Sequence, residues 1–233
     1  MSRLLFALLL LAAAAPAQAA DPCTVVVGAT VYTPIGTVDG PVVLDGGVIG
    51  DSKGVGTPDP ALGTIPWGAR SCAFVDGTGR TLTAGFVDAV TQLGLVEVSM
   101  EAGSRNMDAQ GDPVRAAHTV VESYNPRSSL IPIARIEGTT TALVHPSGGL
   151  LPGKVGAVTL AGGTQREAIA DLFVALPFDL DERSSRAATL GWLKEIFDDA
   201  RDRHAWDRSL KSQPDASERD LAAIRSVLQG DKP

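Results

Sequence analysis

The stretch from Gly79 to Gly94, GRTLTAGFVDAVTQLG, decides how the chain is divided. Gly85-Phe86-Val87-Asp88 reads as a turn feeding an apolar strand that runs from Phe86 to Leu95. Side chains two apart on a strand project to the same face, so donor groups at two such positions, 90 and 92 for example, would converge on one cation. The residues there are Val90 and Gln92. Valine offers no donor atom, and a glutamine amide oxygen is a poor replacement for an imidazole at a zinc-type site. The segment argues for a particular way into a sheet, and against a metal grip at that place.

On its N-terminal side, from Thr24 to Thr83, short apolar runs alternate with glycine and proline: TVVVGATVYT, PVVLDGGVIG and SCAFVDGTGRTLT. Valine-rich runs bounded by Asp-Gly, Gly-Gly and Thr-Pro read as hairpin strands. Asp51 to Gly68 reads as a loop, because Pro58, Pro60 and Pro66 discourage a regular strand. On the C-terminal side strand-like and helical runs alternate, which argues for a mostly parallel sheet or barrel. Asp112 to Tyr124 reads as a helix with Asp112 as N-cap and Pro113 at its first position. Thr139 to His145 and Val155 to Leu160 read as strands. Leu190, Leu193, Ile196, Phe197, Ala200 and His204 recur at helical spacing, and a second helix opens at Ser217, with Asp220 three residues on.

Export is expected from the first twenty residues. Arg3 supplies a positive start, Leu4 to Ala15 an apolar stretch, and Ala17-Gln18-Ala19 a cleavage site. That stretch is too short for a bilayer, which takes about 20 residues in a helix. The expected organisation is a signal peptide at 1–20, a β-rich unit at 21–84, and an α/β unit at 85–233, in a periplasmic or secreted protein without a membrane span after cleavage. An oxidising compartment permits a disulfide between Cys23 and Cys72, the only cysteines. The net charge of -7, with no unbroken basic cluster, excludes nucleic acid as an expected partner.

Gly85 to Gln92 resembles the first barrel strand of the amidohydrolase superfamily, where G-[LF]-[IV]-D-x-H-x-H carries two metal-binding histidines. Exported imidazolonepropionase-like members offer the nearest pattern, with GTTTALVHPSGG at 138–149 as a further point of likeness. The resemblance implies a partial (β/α) barrel of TIM type preceded by a small β-sandwich, called composite because flanking segments build it. It also implies metal-dependent hydrolysis of non-peptide C–N bonds as the ancestral activity, with zinc or another divalent metal activating water. Here the first two ligand positions are Val90 and Gln92. A full barrel takes about 250 residues, more than Gly85 to Pro233 contains, so the expectation is a truncated, fragmentary or reduced barrel. The alternative reading is a non-catalytic binding or interaction protein on the same scaffold.

The candidate site residues are Asp88, Gln92 and His145, at the strand ends where a barrel presents its mouth. Asp88 matches the family pattern and is expected to orient the strand end. His145 closes the run TTALVHP; the simpler reading is a histidine satisfied by backbone. His118 and His204 are expected within helices. No set of three or four ligands of the kind zinc needs is visible. Gly148 to Lys154 fits G-x-x-x-x-G-K, but Val155 replaces the Mg²⁺-binding hydroxyl, and strand rather than helix follows. His145 to Gly149 resembles a nucleophile elbow with histidine in place of the first glycine. Both are read as a glycine-rich turn. A small-molecule ligand is the expected partner at the strand ends, and a second copy or a complementing chain is expected at the open sheet edge.

Overall fold

The computed structural model describes residues 23–108, 111–180, 185–201 and 216–231. The chain divides between Ala84 and Gly85 into two compact units. The cleavage site, His204 and the break at 213–215 lie outside the described residues.

In the first unit, strands β1 (Thr24–Val27), β4 (Val42–Asp45), β5 (Val48–Gly50), β6 (Thr64–Trp67) and β7 (Arg70–Asp76) form one sheet in the order β5-β4-β1-β7-β6. A second sheet has the order β3-β2-β8, from Thr30–Thr33 (β2), Gly36–Asp39 (β3) and Thr81–Leu82 (β8). Three hairpins appear, among them β4–β5, whose two-residue turn Gly46-Gly47 takes φ of 55° and 83°, a left-handed pair that favours glycine. β1–β7 and β2–β8 are parallel instead. Cys23 and Cys72 are bonded to each other and sit buried with Val25, Val43 and Ile65. In the chain-entropy model a bridge across 49 residues of sequence stabilises by about 4 kcal/mol.

The loop expected across Asp51–Gly68 is corrected at its end, where Thr64-Ile65-Pro66-Trp67 is a strand. It lies at the sheet edge, the place a sheet tolerates a residue without an N–H. The Pro66 carbonyl still accepts from Gly56 N at 2.8 Å, and Ile65 fills the core.

The second unit holds a four-stranded sheet in the order β12-β11-β10-β9, from Phe86–Thr91 (β9), Thr139–Val144 (β10), Val155–Thr159 (β11) and Ile169–Ala175 (β12). The mostly parallel sheet expected from the alternation is not what forms. Only β9–β10 is parallel; β10–β11 and β11–β12 are antiparallel. Connection length explains this, because a parallel return takes a crossover of a dozen residues or more, usually helical. Helix α1 (Leu130–Ile136) lies between β9 and β10, whereas only the four-residue α2 (Gln165–Ala168) separates β11 from β12. None of the three described sheets closes on itself, so the architecture is mixed α/β with open sheets.

The helix expected at Asp112–Tyr124 is also corrected. Val114 and Thr119 form isolated parallel bridges to Leu151 and Lys154, and only Val120–Ser123 turns, as a 3₁₀ segment. The residues explain it: Val114 and Ala116 are buried around Arg115, an alternation of period two that no helix face satisfies. His118 consequently lies in a turn rather than a helix.

Helices α3 (Arg186–Arg201) and α4 (Glu218–Leu228) pair through Trp192, Leu193, Ile196, Ala200, Leu221 and Ile224 and share a core with Val114, Leu150 and Leu151. Leu190 faces outward, and Thr189 takes the buried position beside it. Ser217 caps α4 by accepting from Asp220 N at 3.3 Å. The buried Asp220 carboxylate accepts from Ala117 N at 2.8 Å, tying α4 to the bridged loop. Among the described residues no helix is long and apolar enough to cross a membrane.

Candidate functional site

The parallel pair β9–β10 brings two of the three candidate residues to one sheet end. Thr91, the last residue of β9, is the register partner of Val144, the last of β10. Gln92 and His145 follow them directly, and His145 N donates to Thr91 O at 3.2 Å. Asp88 lies further back, opposite Ala142. Three steps on β9 from Asp88 to Thr91 match two on β10 from Ala142 to Val144, so β9 carries an extra residue there. Such a bulge re-aims side chains, and it interrupts the strict alternation by which positions 90 and 92 would converge.

Local bonds occupy much of what remains. Asp88 Oδ1 accepts from Val90 N at 3.4 Å. The Gln92 carbonyl accepts from Leu95 N at 2.9 Å and Val96 N at 3.1 Å, starting the turn that Gly94 completes with φ 76°. His145 Nδ1 lies 3.4 Å from Pro146 O, in keeping with a histidine satisfied by backbone.

A divalent metal does not fit these residues. Val90, 75% exposed, has no lone pair to give, and among the described residues no three His, Cys, Asp or Glu side chains gather closely enough to hold an ion. Only one imidazole and one amide stand at the strand end, with the Asp88 carboxylate set back behind a bulge, and two donors fall short of the three or four ligands zinc takes.

Next to this strand end lies a contact that sequence spacing could not have revealed. Ser147 Oγ donates to Asp108 Oδ1 at 2.5 Å, and Arg105 pairs with Asp108 at 3.6 Å. An isolated parallel bridge between Asp108 and Ser147 creates the contact. The serine gives its proton to a carboxylate already paired with a guanidinium, so it is fixed in place rather than activated by a histidine. The glycine-rich turn is likewise committed. Leu151 N donates to Pro113 O at 3.1 Å, Lys154 N to His118 O at 2.8 Å, and Lys154 Nζ stands 5.1 Å from the Phe173 ring centre. Strand β11 follows at once, so no phosphate cradle forms.

Two titratable groups of this unit are perturbed. Burial holds His118 below the ordinary imidazole pKa; Glu122 opposes the shift and Arg115 adds to it. Its Nε2 is buried without a hydrogen-bond partner. Burial also raises the pKa of Tyr124, whose hydroxyl has no partner. Tyr124 is buried, with its ring against Gly94 in the turn after β9, and His118 is half-buried.

The mixed α/β architecture has a counterpart among solved structures. The chain is similar to the crystal structure of an amidohydrolase from Thermotoga maritima MSB8, with a TM-score of 0.69 at 20% sequence identity. The likeness covers 90% of this chain and 56% of that one, so the chain spans little more than half the length of the protein it matches. Comparison with family models and with curated proteins returns no match.

Proposed function

We propose that this chain is an exported protein of amidohydrolase descent, of the imidazolonepropionase-like kind, whose ancestral reaction is metal-dependent hydrolysis of non-peptide C–N bonds. The single observation carrying the reading is the strand end of β9 and β10, where Gln92 and His145 emerge side by side on an amidohydrolase fold. In this reading β9 is the first strand of a partial barrel, and the N-terminal sheets are a composite sandwich. The buried Cys23–Cys72 bond supports export, because such bridges persist in oxidising compartments.

The described residues do not assemble the family's metal grip, so hydrolysis of the ancestral type requires donors they do not supply. A second reading is favoured by one observation, the exposed Val90 at a ligand position: the strand end recognises a small molecule without transforming it. In either case Gln92 offers an amide donor and acceptor, and His145 an imidazole nitrogen, to a polar ligand.

Metal content separates the two readings. The chain is produced in zinc-supplemented medium, purified without chelator and measured by mass spectrometry of the metal. The expected result is zinc well below one equivalent, unchanged by Gln92→Ala. One equivalent of zinc, lost in His145→Ala, would overturn the non-catalytic reading.

A further inference from the structure

We propose that the Cys23–Cys72 bond is an oxidative latch on the first unit: with the two thiols reduced the sheet β5-β4-β1-β7-β6 does not hold together, and it forms once they are joined. The sheet contains two local pieces, the hairpins β4–β5 and β6–β7, in which each strand pairs with the next in sequence. β1 is the described strand that pairs with both, antiparallel to β4 and parallel to β7. A hairpin by itself is marginal in water, so the sheet depends on β1. The bond joins residues 49 apart in sequence, in step with the ladder it heads: Thr24 partners Ala73, Val25 Phe74, Val26 Val75 and Val27 Asp76.

Three features leave β1 weakly held without the bond. Closing a long loop costs chain entropy before any strand contact forms. The strand is Thr24 followed by three valines, so sliding by a residue changes little of its chemistry and its register is poorly specified. The core beneath it is small: of the five buried residues Cys23, Val25, Val43, Ile65 and Cys72, two are the cysteines themselves. The two pieces also touch through Arg70 with Asp45 at 2.8 Å and through Trp67 Nε1, which donates to Asp51 O at 3.0 Å. Water reaches both contacts, so they hold less than the buried ladder does. The described part of this unit spans 23–84, and below about 70 residues a single core rarely holds a fold without a staple. In the chain-entropy model the bond shifts the folding equilibrium roughly 1000-fold, as much as such a core supplies by itself.

Closing the latch removes one proton and one electron from each thiol and joins the two sulfurs. A small-molecule or protein disulfide of an oxidising compartment takes up the two electrons and two protons and leaves as two thiols. Both sulfurs then lie in the core, with Cys23 4% and Cys72 1% exposed, beyond a reductant until the strands part. The second unit has no cysteine and keeps cores of its own, so redox state divides the chain into a conditional unit and an unconditional one. The latch rests on the first unit alone; its timing in the cell, with that unit open until the chain has left the reducing compartment, rests on the export proposed above.

The test uses the full chain in two states, one oxidised and one reduced with a phosphine in urea and diluted into buffer that keeps the phosphine. Amide exchange is read by mass spectrometry in both. Reduction should cost residues 42–45 and 70–76 at least about 100-fold of their protection, as the bond's share of the folding equilibrium requires, and should leave residues 139–144 and 155–159 unchanged. The reduced chain keeps both sulfur atoms, so lost protection reports the bond and not the volume of the side chains. Transfer to a glutathione redox buffer should restore the bond and the protection together, whereas the double variant Cys23→Ala, Cys72→Ala should stay unprotected at 42–45 and 70–76 in either buffer. Protection at those residues that differs less than about 10-fold between the two states, an equal loss at 139–144, or protection that does not return with the bond would each overturn the latch. None of these results bears on zinc content or on export, so the readings fail separately.

Discussion

β9 and β10 are paired neighbours in one sheet, yet they live in different surroundings. β10 lies between two strands, with Ala142 and Val144 fully buried beside Val158 and Ile131. Among the described strands β9 has β10 on one side only, and it exposes every residue from Phe86 to Val90. The strand that carries the family likeness is thus the one this chain supports least. What the contrast teaches is that an apolar strand pattern does not by itself decide whether the strand is buried. The apolar residues of β9 suit a buried parallel strand, although they are exposed here.

The largest expected effect tests that contrast directly. Val144→Lys puts a charge into a closed core and should cost about 4–5 kcal/mol, read as a large fall in the urea midpoint or outright unfolding of the second unit. Val90→Lys on β9 should stay within about 0.5 kcal/mol of wild type. Similar losses for both would abolish the distinction between the strands.

A smaller effect locates where the exposure of β9 ends. Gly94 holds φ at 76°, and a methyl group there would strike the Tyr124 ring. Gly94→Ala should therefore cost about 3 kcal/mol, combining the left-handed penalty with overpacking. Denaturant melting checks it, and a neutral result would mean that the turn after β9 is as loosely held as the strand.

The smallest effect concerns the far side of β10, where the His118 carbonyl accepts from Lys154 N just before β11. Burial lowers the His118 pKa in the folded chain. The stability contributed by its neutral ring is fully present above the unfolded value of about 6.5, and it declines as pH falls below that, because the unfolded chain then binds the extra proton. Denaturant midpoints at pH 7.5 and 5.5 should differ more in wild type than in His118→Phe. Equal differences would show that the ring is hydrated in the folded chain.

Much of this arrangement was legible in the residues, for reasons that also explain the misreadings. β9, β10 and β11 announce themselves as β-branched runs closed by Gly or Pro, and Cys23 and Cys72 lie at or in strand runs. α4 is marked by a serine cap that the structure keeps. The helix expected from Asp112-Pro113 failed because start signals are local, whereas the bridges to Leu151 and Lys154 join residues far apart in sequence. Pro66 misled in the opposite way, since whether a strand lies at an edge is a property of the sheet and not of the tetrapeptide TIPW. At the candidate site the lack of a donor atom at Val90 could be read directly. The bulge between Asp88 and Thr91 could not, because it depends on β10, and neither could the Ser147–Asp108 contact.

Amide hydrogen exchange on the isolated chain tests most directly whether β9 is an incomplete strand. Residues 139–144 should be protected at least about 100-fold more than residues 86–91, as expected when one strand opens locally and the other only with the core. Equal protection of the two strands would contradict the account.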